Sequence, residues 1–290
     1  MGKYWEPLKK LTSWRKISVG MWDPPSDPTI YGHEVLDVTE TLDYLDEVSE
    51  VSGTKVTMTA LVVKAFAIIY ERYPELNVMI VNGRIQKRKS IDAFCQVAVP
   101  DSSESDADLS GVKMRAVNER DLVEISEGLR GRARQLRAGQ DEEIEQTKAL
   151  IDKVPPWLIK PMLSTVNFLT YNVPADLDAV GVRSDPFGSF MVSSIAQFDL
   201  RLGYAPLVPA SRCPVVVLPG VVHEAPMVVD GDVVARKAIC IGCTFDHRCF
   251  DGYQIGQIVR SARALISHPY ENMPAPSEWA ADAERGNPST

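Results

Sequence analysis

Apolar positions between Thr57 and Tyr73 fall on nearly every side of a helical wheel, with Leu61, Val63, Phe66, Ile68 and Ile69 among them. A helix apolar all round has to be buried, and Pro74 stops it. Ahead of it, Leu42, Leu45 and Val48 recur at helical spacing in Thr39 to Val51, with Thr39 as the expected N-cap, and Thr29 to Val38 alternates as a strand does. Val78 to Val81, Asn82-Gly83 and Arg84 to Arg88 read as a hairpin, and Asp92 to Val99 as another strand. Ser102 to Ser110 is acidic and serine-rich, and is expected to be a loop. Glu119 to Lys153 carries spaced leucines and isoleucines broken by Gly128, Gly131 and Gly139, which predicts two or three exposed helical pieces. Val154 to Val173 is strongly apolar around Pro161. Its favoured reading is a core helix, and its sharper reading is a wall for an apolar ligand chain. Phe190 to Ile195 and Pro214 to Pro219 read as buried strands. Val222 to Val229, Asp230-Gly231 and Val233 to Phe245 form a long hairpin, followed by an amphipathic helix from about Tyr253 to Ile266. Tyr270 to Thr290 is polar and is expected to fray.

These elements predict one mixed α/β domain over residues 29–268, with an N-terminal arm at 1–28 and a polar tail at 269–290. The arm mixes aromatics with lysines and arginines. It is read as packing on a neighbouring subunit in preference to a membrane surface. The chain has 290 residues, 45% hydrophobic and 24% charged, enough to bury a full core. A net charge of −8 argues against general nucleic-acid binding. Neither a signal peptide nor a run of about 18 apolar residues is present, so no membrane span is expected. Five cysteines, mostly inside apolar runs, fit reduced thiols and a cytoplasmic setting.

Chemistry concentrates where the last long strand meets the last long helix, at Asp246-His247-Arg248-Cys249-Phe250-Asp251-Gly252. A neutral imidazole can take a proton from a thiol or hydroxyl, although a lone histidine beside apolar residues is commonly structural. Ser193 and Ser194 are either small residues at a strand end or a source of an oxyanion-binding hydroxyl, whose loss typically costs ~3–4 kcal/mol of transition-state stabilisation. Cys240-x-x-Cys243 invites a zinc reading, but on a strand those positions face opposite ways, so no metal is expected. Cys249 is a second-ranked nucleophile. Nucleotide-binding glycine loops and a Gly-x-Ser-x-Gly elbow are absent.

Asp-His-Arg-x-x-Asp-Gly at 246–252 resembles the active-site signature of the acyltransferase (E2) subunits of 2-oxo acid dehydrogenase complexes, and the His-x-x-x-Asp-Gly version in chloramphenicol acetyltransferase. Weaker matches follow in the same order: Tyr73-Pro74-Glu75-Leu76-Asn77, Ser90 to Asp101, Val192-Ser193-Ser194-Ile195 and Ala205 to Val222, so that about 13–268 can be laid on that fold. The resemblance implies a chloramphenicol-acetyltransferase-like α/β sandwich around a mixed sheet, and a homotrimer with active sites between subunits, with larger cages of trimers open. It implies acyl transfer between coenzyme A and a dihydrolipoyl-type thiol or a hydroxyl, by direct attack and without a metal. His247 would be the base, Ser193 of a neighbouring subunit the oxyanion donor, and Asp251 a structural residue paired with Arg15.

The sequence departs from the E2 pattern in carrying no lipoyl domain or swinging linker, in lacking a glycine after Asp101, and in a longer, more apolar stretch over 119–173. A free-standing member is therefore expected, with a separate lipoyl-bearing protein as one potential acceptor. The alternatives are an E2-like trimer or cage without turnover, a drug-modifying acetyltransferase, and a membrane-surface role.

Overall fold

A computed structural model of the chain describes residues 12, 13, 16, 27–100, 107–137, 154–172 and 185–279. In chain order the longer elements are β1 (Thr29–Asp37), α1 (Thr39–Ser52), α2 (Met58–Arg72), β2 (Val78–Val81), β3 (Arg84–Lys87), β4 (Ala93–Pro100), β5 (Ala107–Met114), α3 (Leu122–Arg137), α4 (Pro156–Asn172), β6 (Phe190–Ser193), β7 (Val215–Pro219), β8 (His223–Val229), β9 (Asp232–Asp246), α5 (Gly252–Ser267) and α6 (Pro269–Asn272).

The main sheet runs β1-β9-β7-β6-β4-β5, with β8 pairing the first half of β9. β6 lies parallel to both β4 and β7, and the other pairs are antiparallel, so the sheet is mixed. β9 is its spine: Thr29↔Asp246 to Asp37↔Ala238 pair on one side, and Val215↔Phe245 to Pro219↔Ile241 on the other. Alternate residues serve two layers. Val215, Val217, Val192, Ile239, Ile241 and Phe245 join a core with α2 and α5, where Tyr70 and Phe66 pack on Phe190. Met191, Val216 and Leu218 face the other way, against Cys213, Ala205 and Leu207. Burial on both faces explains why Val215–Pro219 reads as an unbroken apolar run. Thr57 caps α2, its hydroxyl accepting from the Ala60 amide.

Several expectations need correcting. Thr39 is the first residue of α1 and not its cap; its amide and hydroxyl both donate to Asp37, at 2.9 and 2.7 Å. The stretch read as a loop at Ser102 to Ser110 contributes the start of β5, which pairs residue for residue with β4, so tertiary pairing outweighs weak strand propensity. Gly128 and Gly131 do not break α3, and Leu122, Val123 and Ile125 at its start are buried and not exposed, while the rest of the stretch read as two or three helical pieces, 138–153, lies outside the described residues. α4 is not a core helix. Its C-terminal end is pinned where the Tyr171 hydroxyl donates to the Ser211 carbonyl at 3.2 Å, but Trp157 is 74% exposed and Phe168 56%. Tyr270 to Trp279 packs instead of fraying: Trp279 is 4% exposed, and its indole N–H donates to the Tyr44 hydroxyl. No described helix is long and apolar enough to cross a membrane.

Candidate active site

β9 ends at Asp246, and the chain turns sharply before α5 begins at Gly252. The carbonyl of Asp246 accepts from the amides of Cys249 (2.9 Å) and Phe250 (3.1 Å), which closes the turn. Its carboxylate, nearly buried, accepts from the Arg248 amide at 3.0 Å and from the guanidinium at 2.9 and 2.6 Å. A two-pronged pair of this kind fixes direction as well as distance, and it locks the residues on either side of His247. The Phe250 ring is buried against Phe245, anchoring the far end of the turn. The His247 amide donates to the Pro28 carbonyl at 2.9 Å, tying the turn to the chain entering β1.

The His247 side chain is exposed. Its Nδ1 lies 3.0 Å from the Phe250 carbonyl oxygen. A carbonyl can only accept, so Nδ1 carries the proton, and in the neutral ring Nε2 holds the lone pair. The imidazole is thereby held by one nitrogen, and the lone pair sits on the other.

Asp251 is the N-cap of α5. Its carboxylate accepts from the Tyr253 amide at 2.8 Å, and the Gln254 side chain accepts from the Asp251 amide at 3.0 Å, a reciprocal capping box. Gln254 was not singled out from the sequence, although the Asp-x-x-Gln spacing is itself the signal. Arg15, expected to pair with Asp251, lies outside the described residues.

Ser193 ends β6, opposite Gln96 of β4, on the face away from the helices. Val192 is level with Val217, and Val217 with Cys243, so Ser193 is level with Gly242. His247 lies just past the C-terminal end of β9, about 17 Å further along the strand direction at roughly 3.3 Å per residue. A single chain does not bring the two residues together. The segment after Ser193 carries Phe198, Leu200, Leu202 and Tyr204, which with Tyr31 and Val35 of β1 leave a large apolar area exposed on this face.

All five cysteines are free thiols. Burial pushes the Cys249 thiol up to about 11 and the Cys243 thiol to about 12. Among the described residues no three His, Cys, Asp or Glu side chains cluster as metal ligands would. A high-pKa thiol is a poor nucleophile near neutral pH. Cys249→Ser is therefore expected to keep turnover within about threefold of wild type, and iodoacetamide is expected to label Cys249 slowly at pH 7 in a peptide-mapping time course.

The 2-oxoacid dehydrogenases acyltransferase (catalytic domain) family matches residues 11–151 and 186–273, which takes in the strand pairing, the His247 turn and α5. The chain belongs to this acyltransferase family. A curated relative, the lipoamide acyltransferase component of the branched-chain alpha-keto acid dehydrogenase complex of Pseudomonas aeruginosa, is 38% identical over 63 residues, 21% of this chain and 15% of that protein. The match thus spans a small fraction of the relative's length. Two solved acyltransferase cores share the fold. The cubic core of the pyruvate dehydrogenase multienzyme complex superposes with a TM-score of 0.62 at 17% identity, covering 85% of this chain and 84% of that one. The dihydrolipoamide acetyltransferase of Azotobacter vinelandii, investigated for the role of a serine, a histidine and an asparagine in its catalytic mechanism, superposes with a TM-score of 0.62 at 16% identity and the same coverage. The mixed sheet packed against helices is thus the fold this chain shares with those acyltransferase cores.

Proposed function

We propose that this protein is a CoA-dependent acyltransferase that moves an acyl group between CoA and a thiol acceptor of the dihydrolipoyl type, or a hydroxyl, with His247 as general base. The observation that carries the reading is the 3.0 Å bond from His247 Nδ1–H to the Phe250 carbonyl, which leaves Nε2 as the accepting nitrogen on a turn clamped by Asp246 and Arg248. Nε2 takes the proton of the acceptor S–H or O–H as its sulfur or oxygen attacks the thioester carbonyl. The Ser193 hydroxyl of a neighbouring subunit donates to the developing oxyanion. The tetrahedral species collapses with loss of the CoA thiolate, which recovers the proton from His247. No acyl-enzyme and no metal enter this sequence. Asp251 acts structurally, holding the start of α5 against the turn.

An active site shared between subunits is supported by the separation of Ser193 and His247 within one chain, and by the exposed apolar face beside Ser193. Closed symmetric association would bury that face and repeat the same juxtaposition at each boundary. A homotrimer is the proposed unit, and the cubic core of the pyruvate dehydrogenase complex makes a cage of trimers the natural larger assembly. A separate lipoyl-bearing protein is the proposed physiological acceptor. A complementation experiment tests the reading. His247→Ala and Ser193→Ala proteins should each release CoA slowly from acyl-CoA with dihydrolipoamide. After being unfolded and refolded together, the mixture should recover turnover, because some boundaries then pair an intact histidine with an intact serine. No recovery in mixed assemblies would sink the shared site.

A further inference from the structure

Alternate residues of the edge strand β1 face the helices, and that row reads Ile30, Gly32, Glu34, Leu36. Their partners on β9 are Phe245, Cys243, Ile241 and Ile239, all on the helix side of the sheet. α5 lays Ile255, Val259, Ala262 and Arg263 over the row, an i, i+4, i+7, i+8 face. Gly32 leaves a gap in it. A cavity of about 100 Å³ lies there between β1, β9 and α5, with Phe66 of α2 also in its wall.

Nothing in the backbone requires glycine at position 32. Its φ lies outside the left-handed region, and a Cβ added to it would meet no atom within 4 Å. Glycine inside a strand weakens it, and such a position often marks a place where a ligand comes close. Here the missing side chain leaves room. The Cys243 thiol in the wall, pushed up to about 12 by burial, stays neutral and behaves as a small apolar group. The charged lining residues pair with each other and reach solvent: Arg263 Nε donates to Glu34 at 3.1 Å, and the Arg263 side chain is 54% exposed. The His33 ring is engaged elsewhere, with Nδ1 2.8 Å from the Tyr204 hydroxyl. An apolar cavity offers water no partners, and one of about 150 Å³ stays dry and takes up benzene.

We propose that this cavity is a binding site for a compact apolar group of about four carbon atoms, such as an isobutyl group, whose polar end stays at the Glu34–Arg263 rim. The size follows from the volume, which is roughly two-thirds of the space that holds the six carbons of benzene. The apolar class follows from the wall, where Leu36, Phe66, Ile241, Phe245 and Ile255 offer dispersion contacts and no hydrogen bonds. The site is separate from the candidate base. Cys243 precedes His247 by four residues, roughly 13 Å along the strand direction. A four-carbon group does not span that distance, so the inference does not rest on the acyl-transfer reading.

Methyl-detected NMR of the full chain titrated with isobutanol tests this without turnover. Wild type is expected to show saturable shifts centred on the methyls around the gap, those of Leu36, Ile241, Ile255, Ile258 and Val259. Burying about four carbons corresponds to a Kd on the order of 1–10 mM. Gly32→Val fills the gap and should weaken binding by roughly tenfold or more, and Gly32→Ala, which adds one carbon, should weaken it less. Valine also suits a strand better than glycine, so the unfolding temperature of Gly32→Val should hold or rise. That result separates a filled site from a damaged fold. No saturable shift in wild type, or unchanged isobutanol binding by Gly32→Val, overturns the proposal. A lower unfolding temperature in both variants would show that the gap is not free space and would overturn it as well. Intact binding by a protein without turnover would count against the His247 chemistry and leave this site standing.

Discussion

Replacing His247 with alanine is expected to lower CoA release about 10²–10⁴-fold, the usual contribution of a general base. The loss should fall on kcat more than on KM, because a general base acts on a proton in flight and not on the resting substrate. The fold should survive the change. Among the described residues the imidazole makes a single hydrogen bond, to the Phe250 carbonyl, while the backbone bond to Pro28, the Asp246–Arg248 clamp and the buried Phe250 ring are all independent of it. Steady-state assays across short to medium acyl-CoAs, run beside light scattering to follow assembly size, make the measurement. Equal turnover in variant and wild type would remove His247 from the mechanism. An inert wild type would turn attention to an assembly role. The size of the drop also reports on the oxyanion donor: the positioned serine and the binding of two substrates would account for whatever catalysis remains.

Legibility in the sequence followed periodicity. α2 was readable because its apolar residues surround the helix and a proline ends it, and the β8–β9 hairpin because Asp230-Gly231 separates two alternating runs. The His247 turn was readable because a motif, an apolar strand and an amphipathic helix met at one point. β5 escaped because Asp108, Ser110 and Gly111 are poor strand formers, and only the ladder with β4 makes them one. α4 misled because an apolar helix reads as core whether or not a partner within the chain covers it. Asp251 shows a subtler limit. Its spacing to Gln254 is a capping signature, yet the same carboxylate also fitted an ion pair, and only coordinates reveal the bond to the Tyr253 amide. The separation of Ser193 from His247 depends on strand order and register, which no local pattern carries.

Asp92→Ala should be the most damaging single change to stability, with an expected loss of about 3–5 kcal/mol, as for removing one partner of a buried ion pair. Asp92 is 6% exposed. It meets Lys113 Nζ at 2.8 Å and accepts from the Ala116 amide at 3.0 Å and from the Ser90 hydroxyl. Burial alone would raise its pKa, but the bonds from Lys113, Ser90 and Ala116 outweigh it and hold the carboxyl below its ordinary value. A carboxylate with a depressed folded-state pKa stabilises the fold above its unfolded value of about 3.9. That contribution disappears as pH falls through the lower folded value, so wild type and variant should converge in acid. Urea titrations at pH 7 and in acid measure both limbs, and a gap that persisted unchanged in acid would refute the electrostatic account. Asp92→Ala with Lys113→Met should lose less than the two single changes added together, because the double change leaves no buried charge without its partner. The same node positions the proposed oxyanion donor. The Ser189 amide donates to the Asp92 carbonyl at 2.7 Å, and Gly188, at φ 87°, passes so close that an added Cβ would lie 2.6 Å from Asp92 Cβ. β6 starts from that contact and ends at Ser193. Turnover by Asp92→Ala, measured well below its unfolding temperature, should therefore fall as well, through a serine displaced from the neighbouring subunit's histidine.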